Sequence, residues 1–191
     1  MGKYSAADIE DIYSRFNKLR TAIDGDSQFG FDLNWPTFCK IIAMLSIKAR
    51  GARLEKRIVQ ANEFTRIRAS ENRGDFKTKD GRYIELKASI LTVANKIATI
   101  RGIRPWQDLT AHLIIVIDLR REAAPTTYTF WINDADMGEE LISLKASPVS
   151  GTKEANKENN KSALGFNLKV DPEDEHFRRW REKYEVSSIK L

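Results

Sequence analysis

Residues 75–87, Asp75-Phe76-Lys77-Thr78-Lys79-Asp80-Gly81-Arg82-Tyr83-Ile84-Glu85-Leu86-Lys87, read as a β-hairpin that collects two carboxylates and an ammonium at one point. Lys79-Asp80-Gly81 suits a three-residue loop, a type I turn closed by a left-handed residue, a conformation that Gly81 tolerates. That loop sets the register: Thr78 faces Arg82, Lys77 faces Tyr83, Phe76 faces Ile84 and Asp75 faces Glu85. Cross-strand partners share a sheet face, and faces alternate along each strand. Phe76, Ile84 and Leu86 are therefore expected toward the core, with Asp75, Glu85 and Lys87 together on the other face. A two-residue Asp80-Gly81 turn would shift the register by one and send Asp75 to the wrong side.

Two acidic groups opposite each other on a sheet repel unless a cation sits between them. Only oxygen ligands are on offer, so the expected ion is Mg²⁺, with Mn²⁺ as a substitute. Lys87 could hold a phosphate oxygen or the attacking water. A metal and a lysine beside a water are equipment for hydrolysing a phosphodiester. The competing explanation is a solvated hairpin that carries ordinary surface charges.

Asp75, nine intervening residues, then Glu85-Leu86-Lys87 resembles the PD-(D/E)xK nuclease motif, and the wording around it is similar to type II restriction endonucleases. The resemblance implies that Asp75 and Glu85 bind the metal with help from the backbone carbonyl of Leu86, and that Lys87 is the catalytic lysine. It also implies a restriction-endonuclease-like α/β fold, a mixed central β-sheet flanked by helices. Gly74 stands where the motif's name has proline. In this superfamily an acidic residue on the preceding helix sometimes reaches the site. Glu55 lies beside the apolar stripe of such a helix and is read either as that group or as a solvated surface glutamate.

The chain has 191 residues and a formal net charge of +5, with a pI near 9.3. That length supports one packed domain over 1–191, and the charge is compatible with a polyanionic partner. Cys39 is the single cysteine, so an internal disulfide is excluded and a reducing cytoplasm is expected. No apolar run opens the sequence as a signal peptide would, and none approaches the length of a membrane span.

An opening helix is expected from Ser5 to about Arg20, its stripe formed by Ile9, Ile12, Tyr13, Phe16 and Leu19. A second should start at Asn34 or Trp35, with Pro36 in its first turn and an interruption at Arg50-Gly51. Residues 1–50 thus form a helical part that could dimerise or flank DNA, though ordinary core packing is the commoner explanation of such a stripe. A third helix is expected from Ala52 to Ile67. Arg50, Arg53, Lys56, Arg57, Arg66, Arg68 and Arg73 make the approach to the hairpin basic, as a phosphate-facing patch or a solvated helix face.

Residues 88–109 read as a DNA-facing loop and short helix, broken by Gly102 and Pro105 and anchored by Trp106. Ser89, Asn95, Lys96, Arg101 and Arg104 are suitable there as donors to phosphates or base edges. Residues 111–118 are the clearest buried strand, with His112 structural rather than a ligand. Thr127 to Ile132 forms a further strand, and Asp134 is expected to cap a helix through Leu141. Residues 145–162 form a polar loop, either disordered or tracking a groove through Lys153, Asn156, Lys157, Asn159 and Asn160. A strand over 163–170 and a final helix starting at Asp171-Pro172 complete the chain.

The expectation is a Mg²⁺-dependent, sequence-specific endonuclease of double-stranded DNA. A homodimer is implied, because both strands must be cut across a two-fold axis. A cognate DNA methyltransferase would be a functional partner rather than a subunit. The alternatives are a structure-specific nuclease of repair or junction resolution with the same site, and a DNA-binding module without catalysis.

Overall fold

The computed structural model describes residues 33–68, 71, 73–105, 107–121, 125–149 and 165–191, together with residues 7, 10, 11, 14 and 17. The chain divides into two compact units, Met1–Leu54 and Glu55–Leu191.

In the first unit the five isolated residues are helical, in keeping with the expected opening helix, whose other positions lie outside the described residues. Asn34 caps helix α1 (Trp35–Ile42) by accepting the Thr37 amide at 3.0 Å. Pro36 sits in the first turn, where its missing N–H costs nothing. The expected break at Arg50-Gly51 is displaced to residues 43–46, and both residues are helical. Ser46 Oγ accepts the Ala49 amide at 3.3 Å and so opens helix α2 (Ile47–Asn62). Arg50 turns back to the carbonyls of Ile42, Ala43 and Leu45 at 3.2, 3.1 and 3.4 Å. It adds a donor to the Ile42 carbonyl, which the Leu45 amide also reaches, and bonds the carbonyls of the turn after α1, a role that a periodicity pattern does not reveal.

In the second unit α2 stops at Asn62, short of the expected Ile67. Glu63 adopts a left-handed φ of 55°, and the β-branched Thr65 opens a two-residue strand, β1 (Thr65–Arg66). Strands β2 (Phe76–Lys77) and β3 (Tyr83–Leu91) form the hairpin. Its register pairs Phe76 with Ile84 and Lys77 with Tyr83, as the three-residue loop requires. Gly81 has φ 90°, and its amide donates to the Thr78 carbonyl at 3.0 Å.

Strands β5 (Ala111–Asp118) and β6 (Thr126–Asn133) complete a five-stranded sheet in the order β1-β2-β3-β5-β6. Pairing of β3 with β5 is parallel and the rest antiparallel, so the sheet is mixed. All eight residues of β5 are buried, which explains its nearly unbroken apolar run.

The stretch after the hairpin departs from expectation. Strand β3 continues to Leu91, and residues 98–103 form strand β4 (Ala98–Ile103) in place of a short helix. Ala98 and Ile100 alternate inward with the β-branched pattern of a strand. Gly102, at φ 68°, lies in the register shift between Ile100 and Ile103, so it bends a strand rather than breaking a helix. Strand β4 pairs with β8 (Phe166–Val170), which in turn pairs with β7 (Ser147–Pro148). Trp106 and residues 150–164, with the 163–164 part of the expected strand, lie outside the described residues.

Helix α3 (Asp134–Ser143) follows β6 directly. Asn133 holds its N-cap position without a side-chain cap bond, and Asp134 is the first helical residue instead of the cap. The last helix, α4 (Glu175–Tyr184), begins later than Asp171-Pro172, because Asp174 is its cap and accepts the Phe177 amide at 2.9 Å. Its apolar face packs on β6: Phe130 meets Phe177 edge-on at 5.4 Å and Trp180 at 5.5 Å. Glu140 of α3 reaches the same helix, accepting from Trp180 Nε1 at 2.9 Å, Tyr184 Oη at 3.1 Å and Arg179 Nη2 at 2.7 Å.

Candidate active site

The Asp75 amide donates to the Ile84 carbonyl at 2.8 Å, although Ile84 is the register partner of Phe76, so the regular pairing ends at Phe76 and the expected facing pair of Asp75 with Glu85 does not form. Beyond that point the chain turns away at Gly74, and the Leu86 amide of β3 needs another partner. Asp75 Oδ2 accepts it at 2.8 Å. The carboxylate is therefore fixed by the backbone of the strand that carries Glu85 and Lys87.

Gly74 has φ +88°, and a Cβ there would stand 2.5 Å from the Ile84 carbonyl oxygen and 2.9 Å from Leu109 Cδ2. Proline, with φ fixed near about −65°, fits neither the angle nor the space. The departure from a Pro-Asp pair thus has a local cause, the close approach of two backbones.

Glu85, at 6% exposure, is buried, and its Oε1 pairs with the Lys87 ammonium two residues along the same face. The Gln107 carboxamide donates from Nε2 to Glu85 Oε2 at 3.5 Å. Asp75 is pushed up to about 6: burial contributes most, then the negative charge of Glu85, against the Leu86 amide and the Lys87 ammonium, with Glu55 adding a smaller upward push. Glu55 is thus near enough for its charge to be felt at Asp75. Its own carboxylate is held by Arg66, Oε1 to Nε at 2.5 Å.

Of the sequence-derived site residues, Asp75, Glu85 and Lys87 come together, and Glu55 stands beside them in an ion pair. Sequence reasoning missed Gln107 altogether, since a glutamine in a loop carries no pattern. It also missed the surroundings of His112, which pairs in register with Glu85 and is fully buried. His112 Nε2 lies 3.1 Å from Asp134 Oδ1, a structural contact. Among the described residues, two buried side-chain polar atoms lack a hydrogen-bond partner, Gln107 Oε1 and His112 Nδ1.

On the same face as the acidic pair, Lys77 lies 5.1 Å from the Tyr83 ring centroid. Arg73 donates to Tyr83 Oη at 3.2 Å and approaches Asp108 at 3.4 Å. Arg73 is exposed and Lys77 half-buried, and together they place positive charge beside a negative centre.

The proposed DNA contacts divide. Ser89 is buried, and its Oγ accepts the Thr99 amide at 3.0 Å, so it ties β4 to β3 and is not available to DNA. Asn95 Nδ2 donates to the Ile90 carbonyl at 3.2 Å and holds the turn after β3. That turn, with exposed Lys96, lies past Leu91, about 20 Å along the strand from Glu85. Arg101 and Arg104 are exposed on the return path through β4. Lys153, Asn156, Lys157, Asn159 and Asn160 lie outside the described residues.

Among the described residues no group of three or more His, Cys, Asp or Glu side chains converges as a metal cage. The oxygens brought together here are those of the Asp75 and Glu85 carboxylates, both hard donors. Such a sparse set fits a cation that keeps most of its water, as Mg²⁺ does, and not one that needs a full protein cage. The raised Asp75 and the unpartnered Gln107 carbonyl fit the same occupant, one that brings positive charge and bound water.

No protein-family model matches the chain, and no curated protein matches it significantly.

Proposed function

We propose that the chain is a Mg²⁺-dependent endonuclease that hydrolyses phosphodiester bonds of double-stranded DNA, of the PD-(D/E)xK type and restriction-enzyme class. The observation that carries this reading is the constellation itself. A backbone-fixed Asp75 accepts from Leu86, the charge of the neighbouring Glu85 is felt at Asp75, and the Lys87 ammonium lies against Glu85. Asp75, Glu85 and the Leu86 carbonyl would hold the cation. Bound there, Mg²⁺ would supply a Lewis acid for the phosphoryl oxygen and lower the pKa of a water.

The protein groups do the rest. The Leu86 amide keeps one Asp75 oxygen in place, leaving the carboxylate little freedom to swing. The Lys87 ammonium, once Glu85 turns to the cation, is free to neutralise charge that develops on the scissile phosphate. Lys77 and Arg73 lie on the rim where the flanking backbone of a duplex would approach. Two copies related by a two-fold axis would cut both strands.

The test is cleavage of supercoiled plasmids with Mg²⁺, against EDTA and a Lys87→Ala protein purified in parallel. Discrete, metal-dependent bands lost in Lys87→Ala support the reading. Scattered or branch-dependent ends would point to a structure-specific nuclease. Cleavage that survives Lys87→Ala would refute the assignment of the site.

A further inference from the structure

The Gln107 carboxamide has two ends with different fates. Its Nε2 donates toward Glu85 Oε2 at 3.5 Å, a long contact. Its Oε1 is buried and has no partner. The orientation follows from Glu85: with the amide turned over, a carbonyl would face a carboxylate. An unpaired buried carbonyl is unfavourable, and native structures rarely keep one without an occupant. The amide belongs to the connection that leads into β5, so its carbonyl is presented beside Glu85 by a segment outside the hairpin. The connection is tied down at both sides: the Gln107 amide donates to the Arg104 carbonyl at 3.2 Å, and the Leu109 amide to the Gln107 carbonyl at 3.1 Å.

We propose that Gln107 is a positioning residue of the cation site: its N–H orients Glu85, and its buried carbonyl accepts a hydrogen bond from a water of the hydrated Mg²⁺ or Mn²⁺. The inference rests on the metal reading of the same site. A neutral acceptor suits the place. It adds no charge to a centre where Asp75 and Glu85 already repel, and it selects a cation that retains its hydration shell. Gln107 touches neither the phosphate nor the attacking water in this assignment, so it is not a catalytic residue.

The test uses the full chain without DNA and Mn²⁺ alone as the probe, followed by electron paramagnetic resonance of the free ion. Thermal melts in EDTA run alongside. Gln107→Met keeps the volume and removes both polar ends; Gln107→Glu keeps an oxygen acceptor. Gln107→Met is expected to weaken Mn²⁺ binding about tenfold or more, with a Tm in EDTA equal to or above the wild type. Gln107→Glu, which keeps an acceptor, is expected to bind Mn²⁺ more tightly than Gln107→Met. A purely structural glutamine would show the reverse: Gln107→Met would melt earlier in EDTA and bind Mn²⁺ normally, and either result overturns the assignment. Wild-type protein without Mn²⁺ binding that Asp75→Ala removes would overturn the metal reading as well. Wild-type binding that Gln107→Met leaves unchanged overturns the role of Gln107 alone.

Discussion

Asp75 and Leu86 are joined by a hydrogen bond of 2.8 Å from a backbone amide to a carboxylate oxygen, so the acid is part of the sheet's own bonding. A carboxylate built into a ladder cannot rotate away from its neighbours. It must bear the burial and the negative charge of Glu85, and its pKa rises to about 6. In the unfolded chain an aspartate titrates near about 3.9. Between these values the folded protein binds more protons than the unfolded one, so this group costs stability above pH 6 and the cost is lifted as the pH falls.

For metal-free protein, Asp75→Asn should therefore be more stable than the wild type at pH 7.5, by on the order of 2 kcal/mol. The asparagine carbonyl can still accept the Leu86 amide, so the comparison isolates the charge. Urea denaturation in EDTA at pH 7.5 and pH 5 checks this. The advantage should fall to about half at pH 5 and vanish only below about pH 4, and an advantage independent of pH would mean that the charge is not its cause.

Lys87 presents a competition. Its ammonium occupies Glu85 Oε1, an oxygen that a cation would need. Lys87→Met should bind Mg²⁺ as tightly as the wild type or several-fold more tightly, while plasmid cleavage falls by about a hundredfold or more. Without metal the same variant leaves the buried Glu85 without its ammonium partner, and should lose about 1–3 kcal/mol. Calorimetric Mg²⁺ titration and melts with and without Mg²⁺ separate the effects. Weaker Mg²⁺ binding in Lys87→Met would show that the ammonium supports the cation site instead of competing for it.

The hairpin was legible because its information is local. Gly81 fixes the turn and the turn fixes the register through Phe76 and Ile84, which brings Asp75 up to the strand that carries Glu85. The buried β5 strand was legible for a similar reason, an apolar run too long for a surface strand. Residues 98–103 were not. Their strand exists because β8, more than sixty positions later, supplies its hydrogen bonds, and no window on the sequence contains that partner. Arg50 and Gln107 were missed for a different reason, since neither contact follows from a hydrophobic period. Arg50 acts through nearby backbone carbonyls and Gln107 through Glu85 on the neighbouring strand.

Gly74 makes the approach to Asp75 possible. Its φ of +88° and a Cβ-to-carbonyl approach of 2.5 Å combine two penalties, neither of which a small rotation relieves. Gly74→Ala should destabilise the protein by about 2–4 kcal/mol. Cleavage by the surviving folded fraction should fall as well, since Asp75 is the next residue. Chemical denaturation and activity per folded molecule give both numbers. A Gly74→Ala protein of wild-type stability would mean that the two backbones are farther apart than described.

Glu140 supplies a test of the scaffold independent of the site. Its carboxylate, on a side chain 5% exposed, receives Trp180 Nε1 and Tyr184 Oη from the last helix. The third donor, Arg179, is 43% exposed, so its ion pair is screened and adds little beyond the two buried bonds. Glu140→Ala strands both ring donors in an apolar layer with Phe130 and Phe177, and should cost about 3–5 kcal/mol. Glu140→Gln keeps an acceptor oxygen and should cost about 1–2 kcal/mol. Because Trp180 reports the change directly, tryptophan fluorescence during urea unfolding reads both the loss of stability and any loosening of α4 before the main transition. If Glu140→Ala unfolds at the wild-type midpoint, the aromatic packing of α4 on β6 holds that helix without the carboxylate.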